Sequence, residues 1–252
     1  MKHVAQGLGA VAFVLLGNAF ALAQAPAGGG QANGATATNA APMNLQVMAK
    51  NSTRAQVIAQ MNAFGASLGV GCNYCHVPGN FASDDNPIKK TARQMYQMRD
   101  AINLMMPSVT DKSVGAPARV LCSTCHGGLP IPKEIREVVA DAEAHGGATA
   151  GLAKYKELRG QFYGGRAYDF SENSLVQIAQ RAQTAGRTED ANTYLKANLE
   201  YFPNSSRTYQ AMADLKNASG DKSGAIQDLQ KAMELDPNNA QAKNQLDRLK
   251  GQ

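Results

Sequence analysis

Cys72-Asn73-Tyr74-Cys75-His76 and Cys122-Ser123-Thr124-Cys125-His126 take up all four cysteines of the chain and two of its four histidines. Two thiols three positions apart can form thioethers with the two vinyl groups of one porphyrin, and an imidazole on the next residue can then reach the iron. The pattern occurs twice, so the expectation is two covalently bound haem c groups. Cys72, Cys75, Cys122 and Cys125 would be the tethers, and His76 and His126 the proximal iron ligands. Two other chemistries use paired cysteines. A zinc site separates its Cys-x-x-Cys pairs by roughly 12 to 20 residues, whereas 46 lie between Cys75 and Cys122, and zinc gives no reason for a histidine directly after both pairs. A thioredoxin-like dithiol calls for a strand-helix-strand setting that the pattern of this chain lacks.

Haem c is attached outside the cytoplasm in bacteria, and residues 1–23 have the form of an export signal. Lys2 and His3 are basic, Leu8 to Phe20 is mostly apolar, and Ala21-Leu22-Ala23 gives a small-x-small cleavage pattern. The apolar stretch is short for a membrane span and no stop-transfer charges follow, so a cleaved, soluble, periplasmic protein is expected rather than one held by an uncleaved anchor. There is no cysteine at the cleavage site to carry lipid. Residues 24–42 contain no charge, aromatic or large aliphatic side chain. Such a segment buries too little apolar surface to offset chain entropy and reads as a flexible linker. The formal net charge of +5 is offset by the two propionates that each haem brings, and no basic run with interleaved aromatics is present, so no nucleic acid partner is expected. Lys89, Lys90, Arg93, Arg99, Arg119 and Lys133 lie near the motifs in sequence and are candidates to pair with propionates, the alternative being an ordinary solvated surface.

Each iron needs a sixth ligand, and the helix before each motif is the place to look. The first is expected from about Thr53 to Leu68, capped by Asn51 or Ser52, with Val57, Met61, Phe64 and Leu68 in one stripe and Gly69 and Gly71 ending it. The second opens at Asn86-Pro87 and is expected to stop before Pro107. Thr91, Met95, Met98, Ile102 and Met105 share one face, with Met106 beside it. Spacing alone does not choose among these methionines, nor between a ligand and plain core. His145 is a rival ligand, set in Ala-Glu-Ala-His-Gly-Gly, where a histidine facing a helix C-terminus is the simpler reading.

The stretch from Met61 to His76, then Thr91-Ala92-Arg93-Gln94-Met95-Tyr96-Gln97-Met98-Arg99-Asp100-Ala101-Ile102-Asn103 and Cys122-Ser123-Thr124-Cys125-His126-Gly127-Gly128, resembles the cytochrome subunit of photosynthetic reaction centres. That family repeats a unit of helix, turn and Cys-x-x-Cys-His, and residues 43–135 are similar to one two-haem half of its tetrahaem members. The resemblance implies Met61 as sixth ligand of the first iron and Met95 of the second, with Met98 in reserve. Nothing matches the histidine that one family haem takes from another unit, which removes a precedent for His145. Two His/Met irons would favour electron carriage at fairly high potential and leave no open iron position. The alternative is a dihaem peroxidase-like enzyme in which one iron keeps an open site.

Beyond the haem region, residues 136–170 read as a helical connector and 171–252 as helical repeats. Gly186, Ala191, Leu195, Pro203 and Asn204 recur 34 residues later as Gly220, Ala225, Leu229, Pro237 and Asn238. This is a tetratricopeptide period. Leu175 to Pro203 and Tyr209 to Pro237 would be hairpins and Ala240 to Lys250 a closing helix, forming a groove for protein docking or a packing module. The expected fold is mainly α: a dihaem member of the multihaem cytochromes c with a C-terminal tetratricopeptide-type repeat. It would be an electron carrier serving redox partner proteins, among them a membrane electron-transfer complex.

Overall fold

A capping box decides where helix begins. The computed structural model describes residues 43–109 and 119–251; the signal sequence and linker expected over 1–42 lie outside the described residues. The first helix, α1 (Arg54–Leu68), is capped by Thr53 and not by Asn51 or Ser52. Thr53 Oγ1 accepts from the Gln56 backbone N–H at 3.3 Å, and Gln56 Oε1 accepts from the Thr53 N–H at 2.8 Å. Only Thr53 has a glutamine three residues on to return the bond, so only there are two orphan donors satisfied together. Gly69, at φ +68°, ends the helix in the left-handed conformation.

Helix α2 (Pro87–Val109) starts as foreseen, with Asn86 Oδ1 accepting from the Ile88 N–H at 3.0 Å. It does not stop before Pro107, which lies inside its last turn. A proline there forfeits a single intrahelical bond, and the turn closes around it. The first Cys-x-x-Cys-His forms a short 3-10 turn over Cys72–Tyr74, and the second forms the five-residue helix α3 (Cys122–His126).

Helix α4 (Ile135–Phe162) is broken at Gly146 and Gly147. Both halves turn apolar side chains inward: Ile135, Val139, Tyr155 and Leu158 are buried in one core with α5 (Glu172–Thr184) and α6 (Thr188–Tyr201). The segment read as a connector is thus an integral part of the helical core. Helices α7 (Ser206–Ala218), α8 (Lys222–Leu235) and α9 (Ala240–Lys250) complete the chain. Helix onsets at Glu172, Ser206 and Ala240, and at Thr188 and Lys222, step by 34 residues. Gly186 and Gly220 take the positive φ in the two equivalent turns, and Ala191, Ala225, Leu195 and Leu229 are all buried where the helices cross. Ala213, Ala225, Leu229, Ala232 and Ala242 form a second core over α7 to α9.

Residues 43–128 have a different interior. Among the described residues of this stretch the only buried one is Lys89. The expected stripe Val57, Met61, Phe64 and Leu68 is half-buried, and Thr91, Met95, Met98 and Met105 are exposed. Among the described residues, no helix is long and apolar enough to cross a membrane.

Candidate haem c site

The first motif is built against the loop that follows it. Cys72 and Cys75 are free thiols, the first exposed and the second half-buried, and burial raises the Cys75 pKa above its ordinary value. His76 Nδ1 lies 3.0 Å from the Phe81 carbonyl oxygen. A carbonyl only accepts, so Nδ1 carries the proton and Nε2 keeps a lone pair for a metal. Burial lowers the His76 pKa, the bond to Phe81 opposes this, and the charges of Lys89 and Arg93 lower it further. Lys89 Nζ donates to the carbonyls of Phe81 (3.0 Å), Ala82 (3.0 Å) and Ser83 (2.7 Å), fixing the loop. Asp84 sits between Arg93 (2.8 Å) and Lys89 (3.1 Å). Hydrogen bonds from Arg93, Asn44 and Lys89 hold its carboxyl well below the usual carboxylate range. Asn86 Nδ2 donates to the Tyr74 carbonyl at 3.1 Å, tying the motif to the start of α2.

The second motif repeats the histidine geometry. His126 Nδ1 lies 2.8 Å from the carbonyl oxygen of Leu129, a buried residue, so its Nε2 is likewise the free nitrogen. Cys122 is half-buried and Cys125 exposed, both as free thiols. Gly128 N–H donates to Ser67 O at 2.9 Å, and a Cβ at Gly69 would collide with the Gly128 carbonyl, so α1 and the second motif touch through two glycines. Gly127, at φ +57°, backs onto residues 166–167: a Cβ there would stand 2.6 Å from the Arg166 carbonyl oxygen. Asn103 on α2 holds the approach to Cys122, donating to Val120 O at 2.9 Å and accepting from Val120 N–H at 2.8 Å.

The cysteines and the histidine of each motif are brought together by these turns, and both motifs meet the C-terminal end of α1. The methionines stand further along the helices. Met61 is half-buried, six residues before Ser67 and so roughly 9 Å along the axis of α1. Met95 and Met98 are 43% and 51% exposed on α2, whose Tyr96 meets Phe64 of α1 edge to face at 5.8 Å. His145 is exposed, with Nδ1 2.8 Å from Asp141 O, and ends the first half of α4 as a helix-terminal histidine should.

Of the cations near the motifs, Lys89 and Arg93 are engaged as described, Arg99 pairs with Asp100 and Lys133 with Asp141. Lys90 and Arg119 are exposed. A cavity of about 490 Å³ opens beside Cys125, lined by Lys133, Arg136, Arg166, Tyr168 and Asp169 among others. The contacts of Arg166 and Asn103 were not foreseen. Asn103 ends the string that carries the family resemblance, which gives no sign of its partner; Arg166 follows a Gly-Gly turn far from either motif and gives no signal.

The residues suit the group that the motifs call for. Thiols are free, each imidazole is aimed through Nδ1, and Ile58, Phe81, Met95, Met98, Leu104 and Leu121 expose apolar surface that a porphyrin face would cover. Such an apparatus defines a c-type cytochrome. The chain belongs to the family described as photosynthetic reaction centre cytochrome C subunit, which matches residues 18–243. Family membership implies covalently bound haem c.

Among curated relatives, the photosynthetic reaction center cytochrome c subunit of Thermochromatium tepidum is 48% identical over 63 residues, 25% of this chain and 14% of that one. Cytochrome c-554 of Chloroflexus aurantiacus is 36% identical over 89 residues, 35% of this chain and 21% of the relative. The reaction center cytochrome c subunit of Rubrivivax gelatinosus is 40% identical over 65 residues, 26% and 16% of the two chains. The matched segments therefore span about a seventh to a fifth of the relatives' own length.

Proposed function

We propose that the protein is a periplasmic electron carrier with two haem c groups, each iron ligated by one histidine and one methionine. Cys72 and Cys75 tether the first group and Cys122 and Cys125 the second; His76 and His126 are the proximal ligands. Met61 and Met95 fill the sixth positions, with Met98 next to Met95 in preference. The observation that carries this reading is the matched geometry of the two imidazoles, each held by a backbone carbonyl at Nδ1 directly after a pair of free thiols. Bound haem c supplies a one-electron couple, and a thioether ligand raises its potential relative to a second imidazole.

The rest of the work falls to the polypeptide. The Phe81 and Leu129 carbonyls fix the plane and tautomer of each imidazole. The Gly128–Ser67 bond keeps the two motifs adjacent, which favours passage of an electron between them. Lys90, Arg119 and Arg166 are exposed cations available to pair with propionates, Arg166 beside Cys125. Exposed apolar side chains along α2, Met95, Met98 and Leu104 among them, would shield a bound haem from water. The 34-residue hairpins from Glu172 onward support a tetratricopeptide tail that docks a partner protein or packs against the cytochrome portion. The names of the relatives suggest a membrane electron-transfer complex as one partner.

Intact mass of the exported protein, followed by redox titration with and without cyanide or peroxide, tests this reading. Two added haems, a sulfur-to-iron charge-transfer band lost in steps in Met61→Ala and Met95→Ala, and no prompt exogenous ligand binding are expected. Rapid cyanide binding at one iron in the parent would instead favour the dihaem peroxidase-like enzyme.

A further inference from the structure

Lys89 is the only buried residue described between 43 and 128, and it is a cation. An ammonium leaves water only where acceptors replace it, and here four do. Its Nζ lies 3.0 Å from Phe81 O, 3.0 Å from Ala82 O, 2.7 Å from Ser83 O and 3.1 Å from Asp84 Oδ1. The first of these is the same oxygen that accepts the Nδ1–H of His76 at 3.0 Å. One carbonyl therefore serves both a buried ammonium and a proximal imidazole.

That sharing has a definite electrostatic sign. A carbonyl free to bond only the imidazole N–H lends the ring imidazolate character, which favours ferric iron. An ammonium on the same oxygen draws density the other way and weakens that donation. The positive charge also acts through space against the more positive oxidation state. Arg93 adds a second cation, and Asp84, between them, offsets one of the two charges. At the other motif the Leu129 carbonyl accepts His126 Nδ1 at 2.8 Å, and no lysine or arginine among the described residues shares it.

We propose that Lys89 is a positioning residue that raises the reduction potential at the His76 site above that at the His126 site, so that a molecule carrying one electron holds it at the first motif. The inference rests on the dihaem reading and goes beyond it by making the two sites unequal for a stated reason.

The test is an equilibrium redox titration of the purified holoprotein. Intact mass first establishes two haems; fewer than two overturns the dihaem reading itself, and the proposal with it. With two present, the component displaced in Met61→Ala is that of the first motif and should be the upper one. Lys89→Met should move this component down and leave the other in place, while Lys89→Arg, which keeps the charge, should restore most of the shift. Asp84→Asn removes the opposing charge and should move the same component up. A loop that is merely loosened would shift both variants in the same direction, so opposite signs separate tuning from disorder. Unchanged potentials in Lys89→Met, a shift confined to the other component, or a downward shift in Asp84→Asn would each overturn the proposal.

Discussion

Asn103 and Val120 are joined by a reciprocal pair of hydrogen bonds, 2.9 Å from Nδ2 to the carbonyl and 2.8 Å from the backbone N–H to Oδ1. A side-chain amide here copies the pairing of a peptide group and fixes the strand of chain that delivers Cys122. Asn103→Leu fills the space but strands both half-buried backbone groups of Val120. The expected cost is about 1–3 kcal/mol, read as a fall in Tm of the holoprotein. Asn103→Asp, which retains the acceptor but not the donor, should fall between the parent and Asn103→Leu.

Gly69 and Gly79 form a matched pair of left-handed glycines, at φ +68° and +78°. Open space surrounds Gly79, while a Cβ on Gly69 would strike the carbonyl of Gly128. Gly79→Ala should cost about 1 kcal/mol, the strain of the conformation alone. Gly69→Ala should cost clearly more, because it separates α1 from the second motif. Equal denaturation midpoints for the two variants would refute the tight contact.

The Glu143 side chain of α4 is 7% exposed and receives Tyr194 Oη at 2.6 Å, Arg181 at 2.9 Å and Arg187 at 3.2 Å. Removing the carboxylate in Glu143→Ala leaves the buried Tyr194 hydroxyl with only the long contact to the Ala148 carbonyl at 3.5 Å and should cost about 1–3 kcal/mol. Tyr194→Phe leaves the carboxylate with both arginines and should cost less. For a chain of this size each kcal/mol corresponds to roughly 2–4 °C in Tm, so differential scanning calorimetry can rank the two.

Asp214 supplies a pH dependence whose sign is fixed. Burial raises its pKa above the ordinary 3.8, against the Gln245 hydrogen bond at 2.8 Å and the charge of Arg248. Between the ordinary and raised values the folded chain holds a proton that the unfolded chain has released, so stability is fullest below 3.8 and declines as pH climbs through the raised value. Asp214→Asn should remove that decline. Chemical denaturation at pH 4 and pH 7 should show the variant gaining on the parent only at the higher pH.

The two Cys-x-x-Cys-His motifs stand out in the sequence because thioether attachment calls for paired thiols followed by an imidazole, and in the structure His76 and His126 both end their turns with Nε2 free. The 34-residue repeats were legible because packing repeats the same residue types, with Ala191 and Ala225, and Leu195 and Leu229, all buried. Contacts between distant segments were not legible. Nothing near Gly127 announces that it must lie against residue 166, and nothing in α2 marks Asn103 as the partner of Val120. Lys89 was read as a solvated charge or a propionate partner because a lysine on a helix is ordinarily one; only the carbonyls of residues 81–83 folding over it reverse that reading. The Gly146–Gly147 break hid the role of α4 by interrupting its period, although it is the break that lets both halves reach the core.

The uneven burial along the chain has a bearing on biogenesis. From Leu129 onward the helices close over their own aliphatic side chains, while the preceding stretch draws almost nothing from that source. When porphyrin supply fails, proteases should therefore consume the leading portion and spare a helical remnant, whose accumulation would serve as a gauge of stalled maturation.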